Sequence, residues 1–207
     1  MTKFSKQEKI DLSISIAVLT LIFTFIFTRN NFSVDMFLLF LPISLIAVGL
    51  GFILHELGHK FVAQKYGFFA EFRRSDRGLI LAIITALIGY VFFAPGAVMI
   101  ATPTGYISEE QNGKISIAGP LVNIVLALIF LGIMISIQPL ITSSNVNLMV
   151  YLYFLSQVGF SVNSFLALFN LLPIPPLDGS KIFSWNIVIW IITIAVSGIL
   201  TYISYTI

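Results

Sequence analysis

The sequence predicts an all-α polytopic membrane protein of about five to six membrane segments, with a small re-entrant or β-hairpin element after the second. Three observations predict it. Hydrophobic residues make up 58% of the chain and charged ones only 10%, with a mean hydropathy of +1.02, so as a soluble domain it would precipitate. Apolar runs of membrane-crossing length recur, separated by short polar or proline- and glycine-bearing breaks. Lysine and arginine cluster on alternate sides of those runs, as they do in cytoplasmic loops.

The first run, Ile10–Thr28, follows the basic stretch "MTKFSKQEK". No small-residue cleavage site follows it, so it reads as a retained span rather than a signal peptide. The second, Met36–Tyr66, carries Gly49 and Gly51, which predict close helix packing, and then "HELGHK". A shorter run of sixteen residues, Leu79–Ala94, ends in "APG". Ile115–Ile137, Leu148–Leu172 and Ser184–Ile207 complete the set, with Tyr151 and Tyr153 placed for an outer aromatic belt. Residues 1–207 read as a single domain with no room for a separate soluble module of ordinary size. There is no internal repeat of the kind found in transporters.

With the N-terminus in the cytoplasm and Leu79–Ala94 dipping in and returning, ten of the eleven basic residues lie inside and only Arg29 outside. A full crossing by that run would leave eight inside, so the charge rule favours the re-entrant form. Arg73, Arg74 and Arg77 read as determinants of this topology, and Asn123, Gln157 and Asn163 as interhelical hydrogen-bonding partners. The net charge of +2 sits in membrane-flanking segments and carries no nucleic-acid signal. Absence of cysteine excludes disulfides, thiolate ligands and iron–sulfur chemistry.

The chain's two histidines, His55 and His59, are four apart, so a helix stacks them on one face where one ion can bridge them. Glu56 points about 100° to the side, where it can reach water at the same ion. At 1.5 Å per residue, His55 lies roughly 15 Å inside an interface marked by Lys65. Ionisable groups at that depth are costly and usually functional. Catalytic zinc needs three protein ligands and an open position. With cysteine absent and both histidines used, the third ligand must be a carboxylate. Most of the nine acidic residues lie in loops or at span ends; Asp178, in "NLLPIPPLDGSK", remains. Pro173, Pro175 and Pro176 unwind the chain before it, and unwound backbone at membrane depth must be buried in protein or line a wet cavity.

"HELGHKFVAQKYG", "ISIAGPLVNIVLAL" and "NLLPIPPLDGSKI" resemble, in order and spacing, the three signature regions of the site-2 protease family of intramembrane zinc metalloproteases. The resemblance covers roughly residues 36–183. It implies that His55, His59 and Asp178 bind one zinc ion and that Glu56 is the catalytic acid/base. It further implies that Asn170 assists substrate or oxyanion binding, and that "APGAVMIAT" (Ala94–Thr102) is a membrane-dipping hairpin. Expected partners are the bilayer and transmembrane protein substrates, with a multi-pass placement in the cell membrane and the active site toward the cytoplasm. Two departures stand out: Ser180 replaces a frequent second glycine after the aspartate, and an extra apolar stretch lies between Tyr66 and Pro95. The competing expectation is a catalytically silent metal-binding membrane scaffold or regulator; a transporter finds little support.

Overall fold

The computed structural model describes residues 4–89, 95–102 and 105–207. The ends of two expectations, residues 90–93 of the sixth apolar run and Ala94 of the hairpin, lie outside them. The described residues form eight α-helices and one two-stranded sheet, and five helical rods are long and apolar enough to cross a membrane. The protein is thus an all-α multi-pass membrane protein with a small β element.

Helix α1 spans Lys6–Thr28 and begins at Ser5, whose side chain accepts from Glu8 N, so it starts four residues before the apolar run does. Ser33 likewise caps α2, Val34–Ser44. Pro42 lies inside α2, and the ladder then widens into one π-helical stretch, Leu45–Gly49, before α3, Leu50–Lys65. Proline has no N–H to donate, and a π-turn loosens the backbone near functional sites. Two carbonyls on this segment accept side chains from other helices: Ala47 O from Asn163 and Gly51 O from Asn123.

A glycine ends α3. Gly67 takes φ +76°, and Gly67 N and Phe68 N donate to Gln64 O and Ala63 O, a Schellman closure that turns the chain back. Strand β1, Phe69–Arg74, then pairs antiparallel with β2, Gly96–Ala101, from Phe69↔Ala101 to Arg74↔Gly96. Between them, α4 spans Asp76–Leu87, capped by Ser75. Arg74 pairs with Gly96, and Ser75 N donates to Pro95 O, so the chain returns to the point it left. A full crossing by this segment is thereby excluded, as the charge distribution favoured. Helix α4 instead lies along α1. Ala82 and Ala86 pack on Ile22, and Gly89 abuts the Arg29 guanidinium at the far end of α1.

Helix α5, Glu109–Ile137, opens with a reciprocal capping box between Ser108 and Gln111. Helix α6, Val146–Asn170, stops at the proline segment, and α7, Asp178–Trp185, follows. The last apolar run is not one helix. Asn186 is extended and its side chain accepts from Val188 N and Ile189 N, so α8 starts at Ile187 and ends at Thr206. Residues 184 and 185 belong to α7.

The core joins α5, α6 and α8 through Ile124, Ala127, Phe130, Phe160, Ala167 and Leu200. Outward-facing Val125, Leu128, Ile192 and Ile199 are more than a third exposed, which suits a lipid-facing surface.

Candidate metal centre

Helix α3 stacks His55 and His59 with their Nε2 atoms 3.0 Å apart. Asp178 Oδ2 reaches His59 Nε2 at 3.0 Å and His55 Nε2 at 3.4 Å. All three residues are buried, and one ligand atom from each lies within 4.8 Å of the others. A tetrahedral zinc with bonds near 2.0–2.1 Å separates its ligand atoms by about 3.3 Å, close to these spacings.

Hydrogen bonding settles the tautomers. Asn163 Nδ2 donates to Ala47 O and Gly159 O, so its Oδ1 is the acceptor for Asn123 Nδ2 at 2.9 Å. Asn123 Oδ1 then faces His55 Nδ1 at 2.5 Å as an acceptor, which puts a proton on Nδ1. The Ile115 carbonyl, 2.8 Å from His59 Nδ1, does the same for the second ring. Both Nε2 lone pairs therefore face each other and a carboxylate. Three acceptor atoms so close repel unless a cation sits among them, and the donor set is one zinc favours.

The neighbouring helix leaves room for that cation. A Cβ on Gly119 would lie 2.4 Å from His59 Nε2 and 2.6 Å from His55 Nε2. Gly58 brings α3 and α5 into contact, its Cβ position lying 3.0 Å from Ala118 O. A Cβ on Gly51 would lie 2.6 Å from Asn163 Oδ1 and one on Gly49 3.1 Å from Ile16 Cγ2, so the close packing expected around these glycines is present.

Asp178 is delivered by the proline segment. Leu171 is fully buried, and Trp190 Nε1 on α8 donates to its carbonyl at 2.7 Å. A Cβ on Gly179 would sit 2.1 Å from the same carbonyl oxygen, so the loop closes tightly only with glycine. Ser180, the departure noted above, donates through Oγ to Leu177 O and so stays within the turn. Asp178 Oδ1 lies 3.5 Å from Lys181 Nζ.

Glu56 is buried on α3 beside the histidines, and its Oε2 accepts from Val98 N of β2 at 3.1 Å. Asn170, the last residue of α6, donates from Nδ2 to Leu166 O of its own helix, not to the cluster. Asn123 and Asn163 join helices as expected, and they also orient His55; Gln157 lies half-buried on α6. Two residues escaped sequence reasoning. Glu8 is one of the acids at a span end and Lys60 one of the ten basic residues on the cytoplasmic side, yet both are fully buried and paired with each other.

Comparison with known proteins agrees with this chemistry. The chain is 45% identical over 205 residues to "Putative zinc metalloprotease MJ0611" of Methanocaldococcus jannaschii, covering 98% of this chain and 97% of that protein. It is 34% identical over 130 residues to "Zinc metalloprotease MJ0392" of the same organism, covering 63% of this chain and 30% of that protein. A match to "Putative zinc metalloprotease Rip2" of Mycolicibacterium smegmatis is 30% identical over 138 residues, 61% of this chain and 50% of the relative. No family model and no solved structure matches. Zinc is accordingly the cofactor, and the chain belongs to the zinc metalloprotease family of these relatives, in agreement with its resemblance to the site-2 proteases.

Proposed function

We propose that the protein is an intramembrane zinc endopeptidase that cuts peptide bonds in or near the transmembrane segments of other membrane proteins. The observation that carries this reading is the inward-facing Nε2, Nε2 and Oδ2 set, buried inside a five-span protein with Glu56 one residue beyond His55. His55, His59 and Asp178 would hold the ion. Bound there, zinc supplies Lewis-acid activation of water and of the scissile carbonyl. Glu56 takes the proton of the attacking water and passes it to the leaving amine. The Asn170 amide carries two N–H groups, of which Leu166 O takes one; the other serves the developing oxyanion.

Hydrolysis requires water at the site. A cleft of about 290 Å³ lined by Glu109, Asn112, Pro175, Ser180, Lys181 and Ser184 lies between the start of α5 and α7, the helix that begins at Asp178. A substrate helix hides its carbonyls in its own hydrogen bonds, so it unwinds locally before attack. Unwound, it adds as a strand to the outer edge of β2, where Val98 N–H already points at Glu56. The charge distribution supports a cytoplasmic N-terminus, a place in the cell membrane and a site opening toward the cytoplasm.

Purified protein incubated with a panel of membrane-spanning peptides tests this. Cleavage is expected, abolished by a zinc chelator. Glu56→Gln should keep zinc and lose roughly 10²–10⁴-fold in kcat. Asn170→Ala should also keep zinc and lower kcat rather than raise KM. Zinc-loaded protein that leaves every peptide intact would instead favour the catalytically silent scaffold.

A further inference from the structure

We infer that the buried Glu8–Lys60 ion pair is a positioning device that holds the β1–β2 hairpin against the Glu56-bearing face of α3. This rests on the endopeptidase reading for its purpose, and on geometry alone for its existence.

Both side chains are 0% exposed. Lys60 Nζ donates to Glu8 Oε1 at 2.7 Å and Oε2 at 2.6 Å, and it lies 3.8 Å from the centroid of the Phe4 ring. Glu8 Oε1 also accepts from the backbone N–H of Phe72 in β1 at 3.0 Å. One carboxylate on α1 thus joins the metal-bearing helix to the hairpin. Phe72 is fully buried and its ring meets Phe52 of α3 edge-on at 5.8 Å between centroids.

The register makes this more than a packing contact. Phe72 and Val98 face each other across the hairpin. Their N–H groups point outward, one from each edge, and each finds a carboxylate: Phe72 on Glu8, Val98 on Glu56. Glu56 and Lys60 are four apart, one turn on the same face of α3. The hairpin is therefore tied to that face twice, directly through Glu56 and indirectly through Glu8 and Lys60.

The two ties differ in what substrate does to them. A strand added to the β2 edge takes Val98 N–H and releases Glu56 for proton transfer. Glu8 sits on the opposite edge and stays bonded, so the hairpin keeps its distance from the base while the first tie is open. A buried ion pair is a poor stabiliser compared with apolar residues of similar volume, and charges at this depth are costly. What apolar residues cannot supply is the acceptor for Phe72 N–H.

The double variant Glu8→Leu/Lys60→Met separates positioning from bulk stability, because it removes both charges and keeps the volume apolar. Glu8→Gln and Lys60→Met singly leave a buried charge unpaired, so the double variant decides the matter where a single one fails to fold. The chain has no cysteine, so Phe61→Cys on α3 and Met99→Cys on β2, both exposed, accept spin labels cleanly. In the zinc-loaded double variant the label-to-label distance distribution should broaden. KM for a peptide the wild type cuts should rise roughly tenfold, with a smaller change in kcat. An unchanged distribution with an unchanged KM overturns the proposal and leaves the pair as packing alone. If the wild-type protein cuts no peptide, the endopeptidase reading fails, while the label distances still decide whether the pair positions the hairpin.

Discussion

His55 shows how a candidate metal ligand is oriented by residues outside the donor cluster. Its ring is aimed by Asn123, which is aimed by Asn163, which is held by two backbone carbonyls. Each link has one consistent donor direction, so the proton on Nδ1 and the lone pair on Nε2 follow from groups more than one residue away. Removing the middle link should therefore damage the metal site without touching a ligand. Asn123→Ala is expected to weaken zinc affinity about 10–100-fold, read by competition with a chromophoric chelator. The variant should also lose roughly 1–3 kcal/mol of stability, because Asn163 Oδ1 is left buried without its donor. The residue type at 123 was readable as an interhelical partner, but its bond to His55 was not. Sequence separation from His55 to Asn123 is 68 residues, and no local pattern encodes such a pairing.

At the scale of elements, the interruptions do the positioning. The π-turn after Pro42 places Ala47 O and Gly51 O where the asparagines can use them. The proline segment after α6 lets Asp178 approach α3, and the small faces at Gly58 and Gly119 let α5 approach it too. Gly119 is the sharpest case, since a single methyl would occupy the space between the ring nitrogens. Gly119→Ala is expected to abolish stoichiometric zinc binding, measured by metal analysis of the purified protein. Gly132→Ala on the same helix meets nothing within 4 Å and should retain full zinc content. The apolar runs were legible because a span needs about 20 apolar residues. Their ends were displaced by a few residues, because Ser5, Ser33 and Asn186 cap helices through hydrogen bonds that hydropathy does not register.

Over the whole molecule, one ion would join α3 to α7, two elements separated by the hairpin and three helices. Ligand that binds only the folded protein stabilises it by mass action, about 4 kcal/mol at a thousandfold excess over Kd. Stripping zinc should lower the melting temperature in detergent, and re-addition should restore it. Asp178→Ala should melt at the same temperature with or without chelator. The re-entrant course of α4 also belongs to this scale. Charge counting preferred it, and the pairing of Arg74 with Gly96 establishes that the chain returns to where it left.

Sequence alone determined the membrane class, the helical spans and a short set of candidate metal donors. Hydropathy is a sum over neighbouring residues, and a chain with two histidines and no cysteine leaves few donors to choose from. Tertiary structure alone decided the tautomers, the space at Gly119, the bond from Val98 to Glu56 and the burial of Glu8 with Lys60. Those depend on atoms brought within about 3 Å from distant parts of the chain, a proximity that only folding creates.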